Sequence, residues 1–133
     1  MTPGKPIAAL FAVAALAAAM PAAAARENGE ARLARLIDGR VPGKPVRCLD
    51  GTQRRNLEVV DRTALVFKDG DTDYVNRPAG VRFLTWTDVP VFKIFGDELC
   101  THDIVHLRDR SSGLGGASLS MGEFIPYRHA GKR

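Results

Sequence analysis

Residues 64–75 read ALVFKDGDTDYV, two stretches rich in β-branched and aromatic residues on either side of an Asp-Gly pair. Asp69 and Gly70 are favoured at the two central positions of a hairpin turn. Both positions need a positive φ, which glycine adopts freely and aspartate tolerates. The stretch therefore predicts an antiparallel β-hairpin with Asp69 and Gly70 at its turn.

The same stretch carries aspartates at alternate positions, Asp69, Asp71 and Asp73, as a calcium-binding loop does. The sixth position of such a loop is glycine and the twelfth is glutamate, but here these positions hold Tyr74 and Gly80. Without the sharp turn and the bidentate ligand, we expect a hairpin and no calcium site.

Short apolar or alternating stretches, separated by turn residues, continue on both sides of the hairpin. Valine, phenylalanine, leucine and threonine dominate them. Repeated short strands of this kind predict an all-β domain, a small β-barrel or sandwich of about six to eight short antiparallel strands. The stretches are VRCL (46–49), LEVV (57–60), ALVFK (64–68), DYV (73–75), VRFLTW (81–86), VFKIF (91–95), DIVHL (103–107) and SLSMGEFIPY (118–127).

A short amphipathic helix is expected before the β-domain. Residues 27–38 read ENGEARLARLID and place Leu33, Leu36 and Ile37 at helical spacing. Gly39 follows at a position where glycine commonly ends a helix. The next segment, RVPGKP, is rich in proline and glycine, which do not continue a regular element.

The first residues of the chain have the pattern of a secretory signal peptide. Lys5 is their only charge, an apolar run extends from Ile7 to Met20, and small residues lead up to Ala25. The run is shorter than the roughly 20 apolar residues that span a bilayer. We expect residues 1–25 to be a signal peptide cleaved after Ala25 or, as second choice, after Ala24, the alternative being an uncleaved anchor.

Cleavage would leave a short helix and linker, 26–45, and a single β-rich domain, 46–133. Without Lys5 the chain has 18 basic and 15 acidic residues, spread along its length. No basic run is long enough to indicate a nucleic-acid patch. The composition is typical of bacteria, so we expect a periplasmic or secreted protein, with no nucleic-acid partner and no membrane span after cleavage.

The chain has two cysteines, Cys48 and Cys100. In an oxidising compartment an even number of cysteines favours a disulfide, and with two only one pairing exists within the chain. Closing a loop of about fifty residues would contribute about 4 kcal/mol by restricting the unfolded chain. The alternative is two free thiols, with Cys100 acting beside His102 as a ligand or nucleophile.

Five stretches together resemble a family of small exported proteobacterial proteins known only as a domain of unknown function. They are RCLD (47–50), VVDRTALVF (59–67), YVNRP (74–78), LCTHD (99–103) and MGEFIPY (121–127). The resemblance implies a cysteine-containing, β-rich periplasmic domain and brings no activity with it. Relatives often carry two more cysteines where this chain has PAGVRFL and GASLSMG, so the resemblance implies that one disulfide is missing here.

Residues 99–109, LCTHDIVHLRD, concentrate groups that could bind a metal. In a helix, His102 and His106 would share a face one turn apart. In a strand they would stand about 13 Å apart, too far for one ion. Apolar residues at 104, 105 and 107 favour a strand, so we expect no metal site. A metal-binding protein using Cys100, His102 and His106 remains the alternative.

Signatures of catalysis are missing from the sequence. There is no G-x-S-x-G elbow, and the glycines of SSGLGGAS, residues 111–118, are not followed by the lysine of a phosphate-binding loop. Asp61, Asp103 and Glu123 are the least arbitrary carboxylates, but a turn, a strand end and a charge beside the last strand explain them better than catalysis does. We expect a protein that is not an enzyme and has no cofactor.

Aromatic residues offer a possible binding face, and Trp86 is the candidate we single out. If VRFLTW forms one strand, Phe83 and Trp86 lie on opposite faces, and at least one is near the surface. The function we expect is non-catalytic binding of another envelope macromolecule, a protein or a glycan. One version of it is a lysozyme inhibitor, because small disulfide-linked β-barrels that block lysozymes are similar in size and compartment.

Overall fold

The computed structural model describes residues 2–4, 12, 14 and 27–131. The expected signal peptide, residues 1–25, therefore lies almost entirely outside the described residues. Within the described ranges, no helix is long and apolar enough to cross a membrane.

The described chain forms one α-helix, α1 (Gly29–Leu36), followed by ten strands and a short 3-10 helix, Val81–Phe83. The strands are β1 (Arg40–Pro42), β2 (Cys48–Leu49), β3 (Asn56–Val60), β4 (Ala64–Asp69), β5 (Thr72–Asn76), β6 (Asp88–Phe92), β7 (Leu99–Cys100), β8 (Ile104–Asp109), β9 (Gly115–Ser120) and β10 (Phe124–His129).

The strands form three antiparallel sheets. The largest has the order β1-β10-β5-β4-β3, a second has the order β6-β8-β9, and β2 pairs with β7 alone. The two larger sheets pack as a sandwich, and the described strands do not close into a barrel. The expectation of an all-β fold preceded by a short helix is confirmed, with the sandwich as its architecture.

Strand β4 is buried on both faces, which gives the molecule three layers. Leu65 and Phe67 face the three-stranded sheet and belong to the main core. Ala64 and Val66 face the opposite way and pack with Leu33 of α1. Residues 64–67 are therefore all apolar and fully buried, as is usual for a strand covered on both sides.

The main core joins all three sheets. Phe67 lies at its centre, with its ring centroid 5.8 Å from those of both Phe92 and Phe124. Each side chain of this kind contributes about 1.5–3 kcal/mol when it is fully buried. The fully buried members of this core outside β4 include Leu49, Leu84, Leu99, Val105, Leu107, Leu119, Met121 and Phe124.

Helix α1 is capped and docked by specific contacts. The Asn28 side chain accepts a hydrogen bond from the Ala31 N–H at 2.8 Å, satisfying a free donor of the first turn. Arg32 pairs with Glu58 of β3 at 2.5 Å, and Lys68 of β4 approaches the same carboxylate at 2.6 Å. Burial raises the pKa of Glu58, but hydrogen bonds from Lys68 and Arg32 outweigh it and lower the pKa overall.

The β4–β5 hairpin is confirmed, but its turn lies one residue later than predicted. Asp69 pairs with Thr72, so Gly70 and Asp71 occupy the two central positions. Gly70 has a φ of 55°, whereas Asp71 does not have a positive φ. A positive φ at the first central position alone is the pattern of a type II′ turn, which takes glycine there.

The prediction of a strand over VRFLTW is wrong. Gly80, with a φ of 84°, leads into the 3-10 helix, and a turn follows. The Asp88 carboxylate closes that turn by accepting hydrogen bonds from the Thr85 N–H and hydroxyl, at 2.8 and 3.0 Å. Phe83 and Trp86 are both about half exposed.

Three other segments differ from their predictions. In VFKIF (91–95), only Val91 and Phe92 lie in a strand, at the end of β6. SLSMGEFIPY forms parts of two strands, β9 and β10, because the chain crosses from one sheet to the other at residues 121–123. The RVPGKP segment, expected as part of a linker, contains β1, which pairs with β10 at the edge of the large sheet. Strand β1 can contain Pro42 because it lies at the edge of the sheet, where proline is tolerated.

Candidate binding site

The disulfide expected from the sequence is present in the structure, where Cys48 and Cys100 are joined. These residues face each other as cross-strand partners in β2 and β7, with their Cα atoms 4.0 Å apart. Each of the two strands has only two residues, so few backbone hydrogen bonds hold the pair. The covalent bond therefore fixes where the segments after β7 and before β2 meet.

The chain turns sharply after β7. The Asp103 N–H donates to the Cys100 carbonyl at 3.1 Å, and the Asp103 carboxylate accepts from the Cys100 N–H at 2.7 Å. His102 has a φ of 74°, whereas Thr101 does not have a positive φ. This is the φ pattern of a type II turn, which normally has glycine or asparagine at the position of His102.

Asn76 and Gly122 lock together the ends of β5 and β10. The Asn76 side chain is fully buried, accepts from the Gly122 N–H at 3.0 Å and donates to the Gly122 carbonyl at 2.8 Å. A Cβ atom on Gly122 would lie only 2.8 Å from the carbonyl oxygen of Arg77. Glycine is therefore needed for the close approach of these two segments.

Thr101 connects this corner to the strand that carries Cys48. Its N–H donates to the Arg47 carbonyl at 2.7 Å. Its hydroxyl lies 3.2 Å from both the Arg47 and the Gly122 carbonyl oxygens. The segments around Arg47, Thr101 and Gly122 are thus held to one another by hydrogen bonds beside the disulfide.

Around this corner lies an open cavity of about 500 Å³. Four of the five stretches that carry the family resemblance contribute to it, namely RCLD, YVNRP, LCTHD and MGEFIPY. We call it the motif cavity and define it by its polar lining residues, Arg47, Arg77, Thr101, His102, Ser120 and Glu123. Stretches far apart in the sequence therefore converge on one concave surface.

The charged residues of the motif cavity differ in how they are paired. Arg77 donates to both carboxylate oxygens of Glu30 in α1, at 2.6 and 3.1 Å. This hydrogen bonding raises the pKa of Arg77 and lowers the pKa of Glu30. The side chains of Arg47, His102 and Glu123 make no hydrogen bond or ion pair with any described residue, so they are available to a ligand.

Ser120, His102 and Glu123 are the residue types of a hydrolytic triad, and all three line the motif cavity. A working triad needs the base within hydrogen-bond reach of the nucleophile and a third group that orients the base. Among the described residues, no hydrogen bond joins any two of these three side chains. In the described residues these three side chains therefore line the cavity without forming a hydrogen-bonded triad.

The three metal candidates lie in different environments. Cys100 is bonded to Cys48, His102 occupies the turn before β8, and His106 lies on β8 with its Nδ1 2.8 Å from the Ser118 hydroxyl. In the described part of the chain, the one group of three potential ligand residues is Cys48, Glu98 and Cys100, and both its sulfurs are already in the disulfide. The predicted strand is confirmed for β8, with Val105 and Leu107 buried.

Trp86, the aromatic candidate, borders a separate cavity of about 290 Å³ together with Glu27, Arg32 and Asp61. Its side chain is 54% exposed. The Asp61 carboxylate accepts a hydrogen bond from the Trp86 N–H at 3.0 Å. Asp61, like Asp103, thus has a structural role in a turn, while Glu123 is the only one of the three carboxylate candidates in the motif cavity.

No protein-family model, curated protein or solved structure matches this chain. Sequence reasoning identified His102 and Glu123 as candidates but missed Arg47, Arg77 and Ser120. The signal that could have identified these residues is their position within or beside the five stretches that carry the family resemblance. Their meeting in space depends on the sheet crossing at residues 121–123, which the sequence pattern did not reveal.

Proposed function

We propose that this chain is an exported, non-catalytic protein of the bacterial envelope that binds another envelope macromolecule through the motif cavity. Membership of the exported family that its motifs resemble is part of the same proposal. The observation that carries it is the convergence of separate stretches on one cavity with unpaired polar side chains. A few polar groups in a concave site are what orient a ligand.

A second feature supports a macromolecular ligand. Large exposed apolar side chains often mark an interaction surface when they are grouped in one patch. Five of the eight such side chains in the described residues lie within residues 83–95. They are Phe83, Trp86, Val89, Val91 and Phe95.

Export is supported by the disulfide, because such bonds persist in oxidising compartments. The non-catalytic part of the proposal is supported by the absence of hydrogen bonds among Ser120, His102 and Glu123 in the described residues. If the cavity were hydrolytic, the wild-type protein would hydrolyse a component of envelope material, and Ser120→Ala would abolish this activity.

The test is capture of envelope components by protein purified from the periplasm with its disulfide intact. Arg47→Glu reverses a charge in the motif cavity, and Arg55→Glu makes the same change at an exposed residue outside the cavity lining. We expect a captured component that is retained by Arg55→Glu and lost with Arg47→Glu. Capture that is equal for both variants, or absent from the wild type, would contradict the proposal.

The two narrower versions of the function have direct assays of their own. The lysozyme-inhibitor version predicts loss of lysozyme activity in excess protein. The metal-binding version requires a free Cys100 thiolate, because a disulfide sulfur is not a thiolate ligand. It therefore predicts an ion retained in native mass spectra after reduction of the Cys48–Cys100 bond.

A further inference from the structure

Opposite charges line the motif cavity without neutralising each other. Arg47 and Glu123 both border it, yet they form no ion pair with each other. Both residues are exposed, so water solvates each charge and neither needs the other as a partner. A ligand that is complementary to such a site carries charges of both signs.

The cationic part of the cavity suits a carboxylate. The planar guanidinium of Arg47 presents donors that match the two oxygens of a carboxylate. His102 adds a ring nitrogen on the same cavity, and Arg77 adds positive charge although its donors are engaged by Glu30. A carboxylate bound here would meet more than one favourable charge or donor.

The remaining polar groups suit an ammonium group. Glu123 supplies an unpaired carboxylate, and Ser120 supplies a hydroxyl oxygen. Both are acceptors, as the three N–H groups of an ammonium require. A cavity of about 500 Å³ is also within the usual size range of small-ligand sites.

We propose that the motif cavity binds an amino-acid centre, a carbon that carries both a free carboxylate and a free ammonium group. This inference rests on the proposed function, because it names the ligand chemistry of the same site. Two sources present this chemistry: a free amino acid, and the free end of a diamino-acid residue within a peptide. Arg47 and His102 receive the carboxylate, and Glu123 receives the ammonium group.

The backbone at His102 is consistent with this role. A non-glycine residue in the left-handed region is uncommon and often occurs at a functional site. His102→Gly removes both the conformational cost of a positive φ at this position and the imidazole side chain. We expect this variant to unfold at the same or a higher temperature than the wild type while it binds the ligand more weakly, a split that a purely structural residue would not produce.

The test is calorimetric titration of the disulfide-bonded protein with alanine, N-acetylalanine and alaninamide. We expect alanine to bind at least about tenfold more tightly than either blocked form, because each blocked form lacks one charge-assisted contact. Arg47→Ala should weaken alanine binding by about tenfold or more. Glu123→Gln should reduce the preference for alanine over N-acetylalanine to less than about twofold.

Matched controls and a second ligand complete the experiment. Arg55→Ala and Glu98→Gln change exposed residues outside the cavity lining and should leave binding unchanged. A tripeptide whose third residue is a diamino acid with a free amino-acid end should bind at least as tightly as alanine. Tighter binding of the tripeptide identifies a peptide as the source, as the proposed macromolecular ligand requires. Equal binding identifies a free amino acid, in which case the amino-acid site stands but the macromolecular ligand proposed for this cavity does not.

Equal affinity for alanine and N-acetylalanine would overturn the proposal, because the site would then recognise a carboxylate alone. Absence of binding by alanine and by the tripeptide would also overturn it. Neither result would decide the proposed function, which fails if the wild type captures nothing from envelope material or if capture does not depend on Arg47.

Discussion

Asn76 holds one corner of the motif cavity together through its side-chain contacts with Gly122. Its buried side chain satisfies both the N–H and the carbonyl of Gly122. Asn76→Ala should lower the free energy of unfolding by about 2–4 kcal/mol, since two hydrogen bonds are lost and buried polar groups are left without partners. Chemical denaturation measures this difference.

The matched control is Asn56→Ala on β3, where the side chain is exposed. This change should alter the free energy of unfolding by less than about 0.5 kcal/mol. Equal effects of the two substitutions would show that the Asn76–Gly122 hydrogen bonds do not stabilise the corner.

Asp109 makes the stability of the β8–β9 hairpin depend on pH. Hydrogen bonds from the Ser111 hydroxyl, and from the Ser112 N–H and hydroxyl, lower the pKa of Asp109 from 3.8 to about 2. Because the folded pKa is the lower one, the stabilisation is complete above the unfolded value and is lost as the pH falls from about 4 through 2. Wild-type protein should therefore lose more thermal stability over this range than Asp109→Asn.

An NMR titration of the Asp109 carboxylate tests the cause. Ser111→Ala removes the largest contribution, so the measured pKa should rise toward 3.8. A pKa that is unchanged in Ser111→Ala, or equal acid sensitivity of wild type and Asp109→Asn, would refute the assignment.

Residue-scale sequence reasoning was most accurate where composition or a short repeating pattern leaves one choice. The cysteine pairing follows from a count of two, and the buried side of β8 follows from the alternation at Val105 and Leu107. The role of Gly122 depends on a distant carbonyl, that of Arg77. No pattern within either segment carries that information, so the corner of the cavity could not be predicted.

At the scale of elements, the docking of α1 depends on a close approach at Gly29. A Cβ atom there would lie 1.9 Å from the Thr63 Oγ1 and 2.2 Å from the Asp61 carbonyl oxygen. Gly29→Ala should therefore push the helix off the β3–β4 turn and lower the free energy of unfolding by about 1–3 kcal/mol. Thermal or chemical unfolding checks this expectation.

Gly115→Ala is the corresponding control, because a Cβ atom at Gly115 meets nothing within 4 Å. It should be neutral or slightly stabilising, since alanine restricts the unfolded chain more than glycine does. Equal destabilisation by both substitutions would mean that α1 does not pack closely on the turn.

The secondary structure could be predicted for elements that are determined by their own turn residues. It could not be predicted for elements that are determined by tertiary contacts. The β4–β5 hairpin follows from its glycine and the strand pattern around it. The segment 81–86 has strand-like composition, yet Gly80 and the Asp88 hydrogen bonds to Thr85 direct it into a 3-10 helix and a turn. The division of 118–127 between two sheets likewise depends on Ala79 pairing with Ser120 and on Asn76 holding Gly122.

At the scale of the whole molecule, the disulfide joins two short strands, β2 and β7, that form a sheet only with each other. Cys48 and Cys100 are separated by 52 positions in the sequence. Replacing both by serine should lower the free energy of unfolding by about 4 kcal/mol in the chain-entropy treatment. Strand β4 pairs with β3 and with β5 over five positions each, so the local effect should concentrate at β2 and β7.

The most direct test of whether the disulfide holds the motif cavity together is hydrogen exchange of individual amides. The exchange rates are compared between the oxidised protein and the Cys48→Ser/Cys100→Ser variant. The Thr101 amide, bonded to the Arg47 carbonyl at 2.7 Å, reports on the cavity, and the buried strand β4 provides reference amides. We predict that Thr101 loses far more protection than β4 does in the variant. Loss of protection by the same factor at both places would contradict the claim that this bond holds the cavity together.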